Sequence, residues 1–215
     1  MSELNSLIGD ARDFLGQLAQ NNSRDWWQDN KATYDAKLKT PALALLDQMQ
    51  PKLKALSGLE AVPKLFRPHR DVRFSKDKTP YTTHLHMLWR LDTGARQDAV
   101  FFFGVGLDYI TAGAGMMGFD KAVLADWRKF VDLDTDRIAG VVTGLERKGV
   151  HFRDPELKRV PPPFDKDHAG ARLLRMKGVV GHLDLPESGP LEAQLTKAFT
   201  TLWPLNEMLI GIAEA

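Results

Sequence analysis

From the N-terminus, apolar side chains return every three or four positions: Leu4, Leu7, Ile8, Ala11, Phe14, Leu15 and Leu18. That period gathers them on one face and predicts an amphipathic helix, ended near Asn21-Asn22. Either Asn suits a left-handed conformation, or Asn22 caps a second helix over about 23–39. Its Trp27, Lys31, Tyr34 and Leu38 share one side, with Trp26 and Asn30 on the adjoining stripe. Thr40-Pro41 has N-cap and first-turn character and opens a third helix through Leu45, Leu46, Met49 and Leu53, which Pro51 bends or breaks.

The period then changes to two. From His84 to Leu91 the chain alternates, with Leu85, Met87, Trp89 and Leu91 on one face and His84, His86, Leu88 and Arg90 on the other. Residues 99–108 repeat the pattern: Phe101, Phe103, Val105 and Leu107 oppose Phe102, Gly104, Gly106 and Asp108. The glycines leave room for close approach by a helix, a ligand or backbone. A glycine-rich strand over 109–117 follows. Phe66 to Phe74 also alternates and reads as an earlier strand. Short turns between these runs argue for an antiparallel sheet.

Helical spacing resumes after Asp120 and again after Asp134. Arg153 to Asp167 is a proline-rich loop. A short helix over 168–176 leads to an edge strand at His182–Leu185. Gly189-Pro190 opens a last helix that Pro204 bends. The whole reads as one α+β domain, with helices over about 3–56, the main sheet over about 64–117, and helices, loop, edge strand and terminal helix over 119–215.

Composition narrows the class. A chain of 215 residues, 43% hydrophobic and 27% charged, can bury a sizeable core. Absence of cysteine removes disulfides, thiolate nucleophiles and cysteine metal sites. No apolar run approaches a membrane span, and the N-terminal residues lack signal-peptide character, so a cytoplasmic protein without a membrane partner is expected. The net charge of +1 disfavours nucleic acid as a partner. Charge is nonetheless uneven. Lys64, Arg67, Arg70, Arg73, Lys76, Lys78 and Arg90 face only Asp71 and Asp77 within residues 64–90.

That segment holds the candidate chemistry. On the strand read from Phe66, Arg70 falls among Phe66, Pro68, Val72 and Phe74, where a guanidinium needs an offsetting partner. Asp77 supplies one after the turn, which makes the segment an internal brace. The other reading is an anion site, since Arg binds phosphate or carboxylate bidentately and Lys adds a point charge. In a phosphoester hydrolase, Asp71 or Asp77 would act as general base or metal ligand. His84 and His86 share a strand face, but no compact third-ligand motif accompanies them, so no metal is expected. The glycines lack the context of a phosphate-binding loop. No cofactor is expected.

Two segments carry a resemblance. Arg70 to Tyr81 reads RDVRFSKDKTPY, and Asn21 to Trp26 reads NNSRDW, continuing into Trp27, Asn30, Lys31 and Tyr34. Together they resemble the paired signatures of a bacterial and fungal family, domain of unknown function 2461. Further matches run in order along the chain: Ala112-Gly113-Ala114-Gly115, Leu157 to Pro161, Asp167-His168, Leu174 with Lys177, and Pro204-Leu205-Asn206. Pro162-Pro163-Phe164 departs from the family's less proline-rich pattern at that point. The resemblance implies a fold and a set of residues, carries no activity, and suggests that the two signatures meet in space.

These readings favour a small-molecule or anion-binding domain. Its pocket would be built from Arg70, Arg73, Lys76 and Lys78, with Asn22, Arg24 and Trp27 approaching from the helices. The alternatives are a phosphoester hydrolase, a nucleic-acid-associated module, and a structural or protein-interaction domain without chemistry.

Overall fold

The computed structural model describes residues 3–215, with side chains from residue 6 onward, so the Leu4 side chain lies outside the described residues. Six strands form one antiparallel sheet: β1 (Glu60–Leu65), β2 (His84–Asp92), β3 (Val100–Gly106), β4 (Ile110–Met116), β5 (His151–Phe152) and β6 (Val179–Asp184). Their spatial order is β1-β2-β3-β4-β6-β5. Around them run α1 (Glu3–Gln20), α2 (Arg24–Tyr34), α3 (Thr40–Ser57), α4 (Lys121–Leu133), α5 (Thr135–Glu146), α6 (Ala171–Leu174) and α7 (Leu191–Glu214).

The pleat separates two faces. Leu85, Met87 and Trp89 of β2 pair in register with Val105, Phe103 and Phe101 of β3, and these six, with Leu91, are buried. On this face α3 lies against β1 and α7 against β4, while α1 reaches β3. Two buried indoles keep their N–H groups satisfied: Trp89 Nε1 donates to the Leu46 carbonyl at 3.0 Å, and Trp127 Nε1 to that of Leu173 at 3.0 Å. One continuous apolar core therefore runs from Leu7 to Ala213. Along the other face of β2, His84, His86, Leu88 and Arg90 are each only half-buried, because no helix is laid across them.

Four local expectations change. Neither Asn21 nor Asn22 is left-handed, and Ser23 rather than Asn22 caps α2, accepting from the Trp26 N–H at 3.3 Å. The strand read over 66–74 lies earlier, at β1, where Pro63 is tolerated because this strand is an edge. Beyond Phe66 the chain leaves the sheet and keeps a single bridge, His69 to Tyr81. No cap opens α3, for the chain stays helical from α2 through a π turn at Asp35–Lys39. There the Thr40 N–H reaches back to the Asp35 carbonyl. A widened turn accommodates a ring that lacks an N–H and would otherwise strike the preceding turn at Pro41. Lastly, β6 is not the edge, since the two-residue β5 pairs outside it.

The sheet also explains the glycines of β3 and β4. A Cβ at Gly104 would meet the Phe102 ring at 2.8 Å and His86 at 3.0 Å, and one at Gly106 would collide with the Tyr109 ring. These aromatics lie flat over bare backbone on the uncovered face. At Gly113 the nearest atom, the Gly181 carbonyl oxygen, is 3.3 Å from such a Cβ, and no ring fills the space.

Candidate functional site

A groove of about 680 Å³ crosses the uncovered face of the sheet, a volume suited to a small organic ligand. Its floor is β4, bare at Gly113 and Gly115, and its walls include Phe102 and Val100 of β3 with Val180 and His182 of β6. Phe66 and Leu88 extend it towards β1, and Met117 forms part of its rim. Apart from a few polar groups, everything a ligand would touch is apolar or glycine backbone.

The first polar group is His86. Its Nε2 lies 2.6 Å from the Tyr109 hydroxyl, and its ring stacks on His84 with centroids 3.7 Å apart and planes 19° from parallel. Phe66 and Phe102 meet the same imidazole edge-on, at 6.3 and 4.9 Å. So enclosed, His86 loses the solvation that a charged ring needs, and the His84 ring adds repulsion. Its pKa is pushed down to about 4. His84 is also shifted down by burial, and the Tyr109 hydroxyl is shifted up by burial and by Asp108. At neutral pH His86 and Tyr109 therefore form an uncharged hydrogen-bonded pair. It can offer one donor or one acceptor to a ligand, but an imidazole with so low a pKa is a weak general base.

Across the groove stand His182 and Arg153. Burial lowers the His182 pKa most, against an opposing pull from Asp184, with His151 and Arg153 adding to the lowering. Arg153 is exposed at the mouth and makes no hydrogen bond or ion pair among the described residues. At the end near the β2–β3 turn the charge is already neutralised: Asp98 accepts from Arg90 at 2.5 Å and from Thr93 at 3.2 Å. Gln97 donates to the Gly118 carbonyl at 2.5 Å and accepts from the Asp120 N–H at 2.9 Å, which pins the loops at that end together. The groove thus has one unpaired charge, and it is positive.

The residues singled out in sequence lie mostly elsewhere, in the loop over 66–83. Arg70 donates to Asp77 at 2.6 Å, to the Thr79 carbonyl at 3.0 Å and to the Thr79 hydroxyl. It does not stand among apolar side chains on a strand; it spans its own loop. Arg73 makes a bidentate pair with Asp71, at 2.9 and 2.7 Å. Lys78 donates to the Val72 carbonyl at 3.0 Å. Backbone and hydroxyl bonds from Thr79, together with Arg70, hold the Asp77 carboxyl down at about 2, and Arg73 lowers that of Asp71. Lys76 and, at the start of α2, Arg24 are exposed and make no hydrogen bond among the described residues.

The two sequence signatures do meet. Asn22 clamps the backbone of Tyr81 from both sides, its Nδ2 donating to the carbonyl at 2.9 Å and its Oδ1 accepting from the N–H at 3.1 Å. Trp27 is buried and stacks on the Tyr81 ring at 4.3 Å and 15°, with His69 edge-on to both rings. Trp27 is therefore part of the core, packed beneath the loop. Of the two histidines weighed as metal ligands, His86 serves the groove and His84 backs it. No group of three or more His, Cys, Asp or Glu side chains placed to hold a metal occurs among the described residues. No helix among them is long and apolar enough to cross a membrane.

Sequence reasoning named neither Tyr109 nor Arg153 nor His182 as a site residue. One signal was available: two glycine-rich strands, each alternating with residues that bear rings or hydroxyls, border a face that no apolar set claims. No curated protein matches the chain. The family described as "Conserved hypothetical protein (DUF2461)" matches residues 10–209. With its two signatures interlocked at Tyr81 and nearly its whole length matched, the chain belongs to the DUF2461 family.

Proposed function

We propose that the protein is a small-molecule-binding domain whose ligand lies in the groove on the uncovered face of the sheet. The observation that carries this reading is the pairing of a deep apolar trough with few polar groups, among them a neutral His86–Tyr109 pair and an unpartnered Arg153. Sites of this kind orient a ligand by a small number of polar contacts and bind it through apolar burial. Binding is favoured over turnover because His86 is too weak a base at neutral pH and the one carboxylate bordering the groove, Asp98, is engaged by Arg90. The ligand is taken to be a cytoplasmic metabolite carrying an anionic group, in keeping with the charge balance of the groove.

A thermal-shift screen of small organic acids, nucleotides and sugar phosphates against wild type, Val180→Trp and Arg73→Ala tests this. Trp at position 180 fills the groove from its wall, and Ala at 73 removes a loop cation. Compounds that raise the Tm of wild type and Arg73→Ala but not of Val180→Trp are the expected result. A stabilising compound lost only in Arg73→Ala would move the site to the loop.

A second reading rests on Phe74, which is 97% exposed at the tip of the loop between Arg73 and Ser75-Lys76. A solvent-facing ring among cations is the arrangement on which a base of single-stranded nucleic acid stacks. Salt-sensitive binding of an oligonucleotide, lost in Phe74→Ala, would favour it. Binding that is absent at low salt removes it.

A further inference from the structure

We infer that the groove selects a flat, elongated aromatic acid that lies along β4, and this inference rests on the small-molecule reading above. The strand registers set the shape. Phe102 on β3 and His182 on β6 stand level with Gly113, one on each side, and Val100 and Val180 stand level with Gly115. Because β3 and β6 are both neighbours of β4, the two rows are two strand spacings apart, about 9.6 Å between backbones. The bare strip between them is a slot one ring wide. From the level of Gly113 the Phe102 ring leans over Gly104, towards the Thr111 end, and His182 stands opposite at Gly113. A phenyl ring and an imidazole beside the strip favour an aromatic occupant through offset or edge contacts.

The ends of the slot differ in chemistry. His86 pairs with Gly104, which pairs with Thr111, so the His86–Tyr109 pair marks the Thr111 end. β5 pairs Phe152 with Gly181, so the next residue, Arg153, falls at the level of Val180 and marks the Gly115 end. His86 and Arg153 stand on β2 and at β5, outside the two rows, and reach in over them to line the groove. Between their levels the strip from Thr111 to Gly115 is four residues of strand, about 13 Å. A ligand of that length presents its carboxylate to Arg153, whose fork matches it. Its ring lies over Gly113, and a hydroxyl or carbonyl at its far end meets His86–Tyr109. Neutral His86 and His182 add no charge, so Arg153 alone sets the preferred sign.

Isothermal titration with 6-hydroxy-2-naphthoate tests the class directly. Its controls are 2,6-dihydroxynaphthalene, which keeps the ring without the acid, and 10-hydroxydecanoate, which keeps the acid and hydroxyl without the ring. Wild type is expected to bind the naphthoate at least tenfold more tightly than either control. Arg153→Gln is expected to lose at least tenfold for the naphthoate and to leave the neutral diol unchanged, while Arg147→Gln, at an exposed arginine away from the groove, binds as wild type. Equal affinity for the diol, or no effect of Arg153→Gln, overturns the acid preference. Equal or tighter binding of the decanoate overturns the aromatic one. In both cases loss of binding in Val180→Trp shows that the groove itself stands. Naphthoate binding that survives in Val180→Trp sinks the groove reading as well. No binding of any of the three compounds overturns the class proposed here and leaves the broader screen to judge the groove.

Discussion

The loop over 66–83 and the groove beside it use polar residues in opposite ways. In the loop most charges have an internal partner, Arg70 with Asp77, Arg73 with Asp71 and Lys78 with the Val72 carbonyl, while Arg67 and Lys76 extend into solvent. In the groove the polar groups are few, partly desolvated and left with bonding capacity, and Arg153 has no partner among the described residues. A dense cluster of charge is thus used to give an irregular segment a fixed shape, whereas the sparse set faces open space. Charge density and open bonding capacity are thus separate properties: the first fixes the shape of the loop, and the second is what the proposed groove offers a ligand.

The comparison breaks first if the groove floor is not rigid backbone. Gly115 has φ of 133°, and a Cβ there would collide with the Val179 carbonyl oxygen, which is sheet backbone and cannot swing away. Gly115→Val is therefore expected to cost about 4 kcal/mol, combining strain at an unfavourable φ with overpacking. Urea denaturation measures it. A loss below about 1 kcal/mol would mean that β4 and β6 shift apart easily and that the slot has no fixed width.

The loop has a corresponding anchor, apolar rather than charged. Tyr81 is 5% exposed and stacks on Trp27, so Tyr81→Ala is expected to cost about 3 kcal/mol. Asn22→Ala, which frees both backbone groups of Tyr81, is expected to cost about 1.5 kcal/mol. Both changes should open the loop to trypsin while leaving groove ligands bound. Loss of groove binding in Asn22→Ala would show that the two regions act as one site.

What could be read beforehand follows from what each pattern encodes. The alternation of β2 and β3 was legible because one face of each is buried under helices, and burial writes itself as period two. The helical spacing after Asp120 and Asp134 marked α4 and α5 for the same reason, since Val123, Trp127 and Val131, and Ile138, Val142 and Leu145, are buried on one face of each. Residues 66–74 alternate too, but there the alternation of Arg with apolar residues reflects pairing within a loop, and period alone cannot separate the two. β5 is too short to carry any period, and with it went the position of Arg153. The groove itself was out of reach because it is defined by strand order. Phe102, Gly113 and His182 come together only once β6 is known to lie beside β4, 60 and more residues later in the chain.

The gentlest way to sharpen the contrast is to titrate the two regions apart. Unfolded histidine takes up a proton near 6.5, whereas His86 in the groove does so only near 4. Between those values the unfolded chain binds more protons than the native one, so stability falls as the pH is lowered through that window. The loop carboxylates act lower down. Asp77 titrates near 3.8 when unfolded and near 2 in the loop. The stability it contributes is fully present above 3.8 and is lost as pH falls towards 2. Thermal melts across this range should show two separable declines in Tm. His86→Gln reduces the upper one, to which His84 and His182 also contribute, and Asp77→Asn the lower, which Asp71 shares, each leaving the other in place. If His86→Gln leaves the upper decline unchanged, the groove imidazole is solvated after all, and the desolvated His86–Tyr109 pair used in the proposed ligand site does not hold.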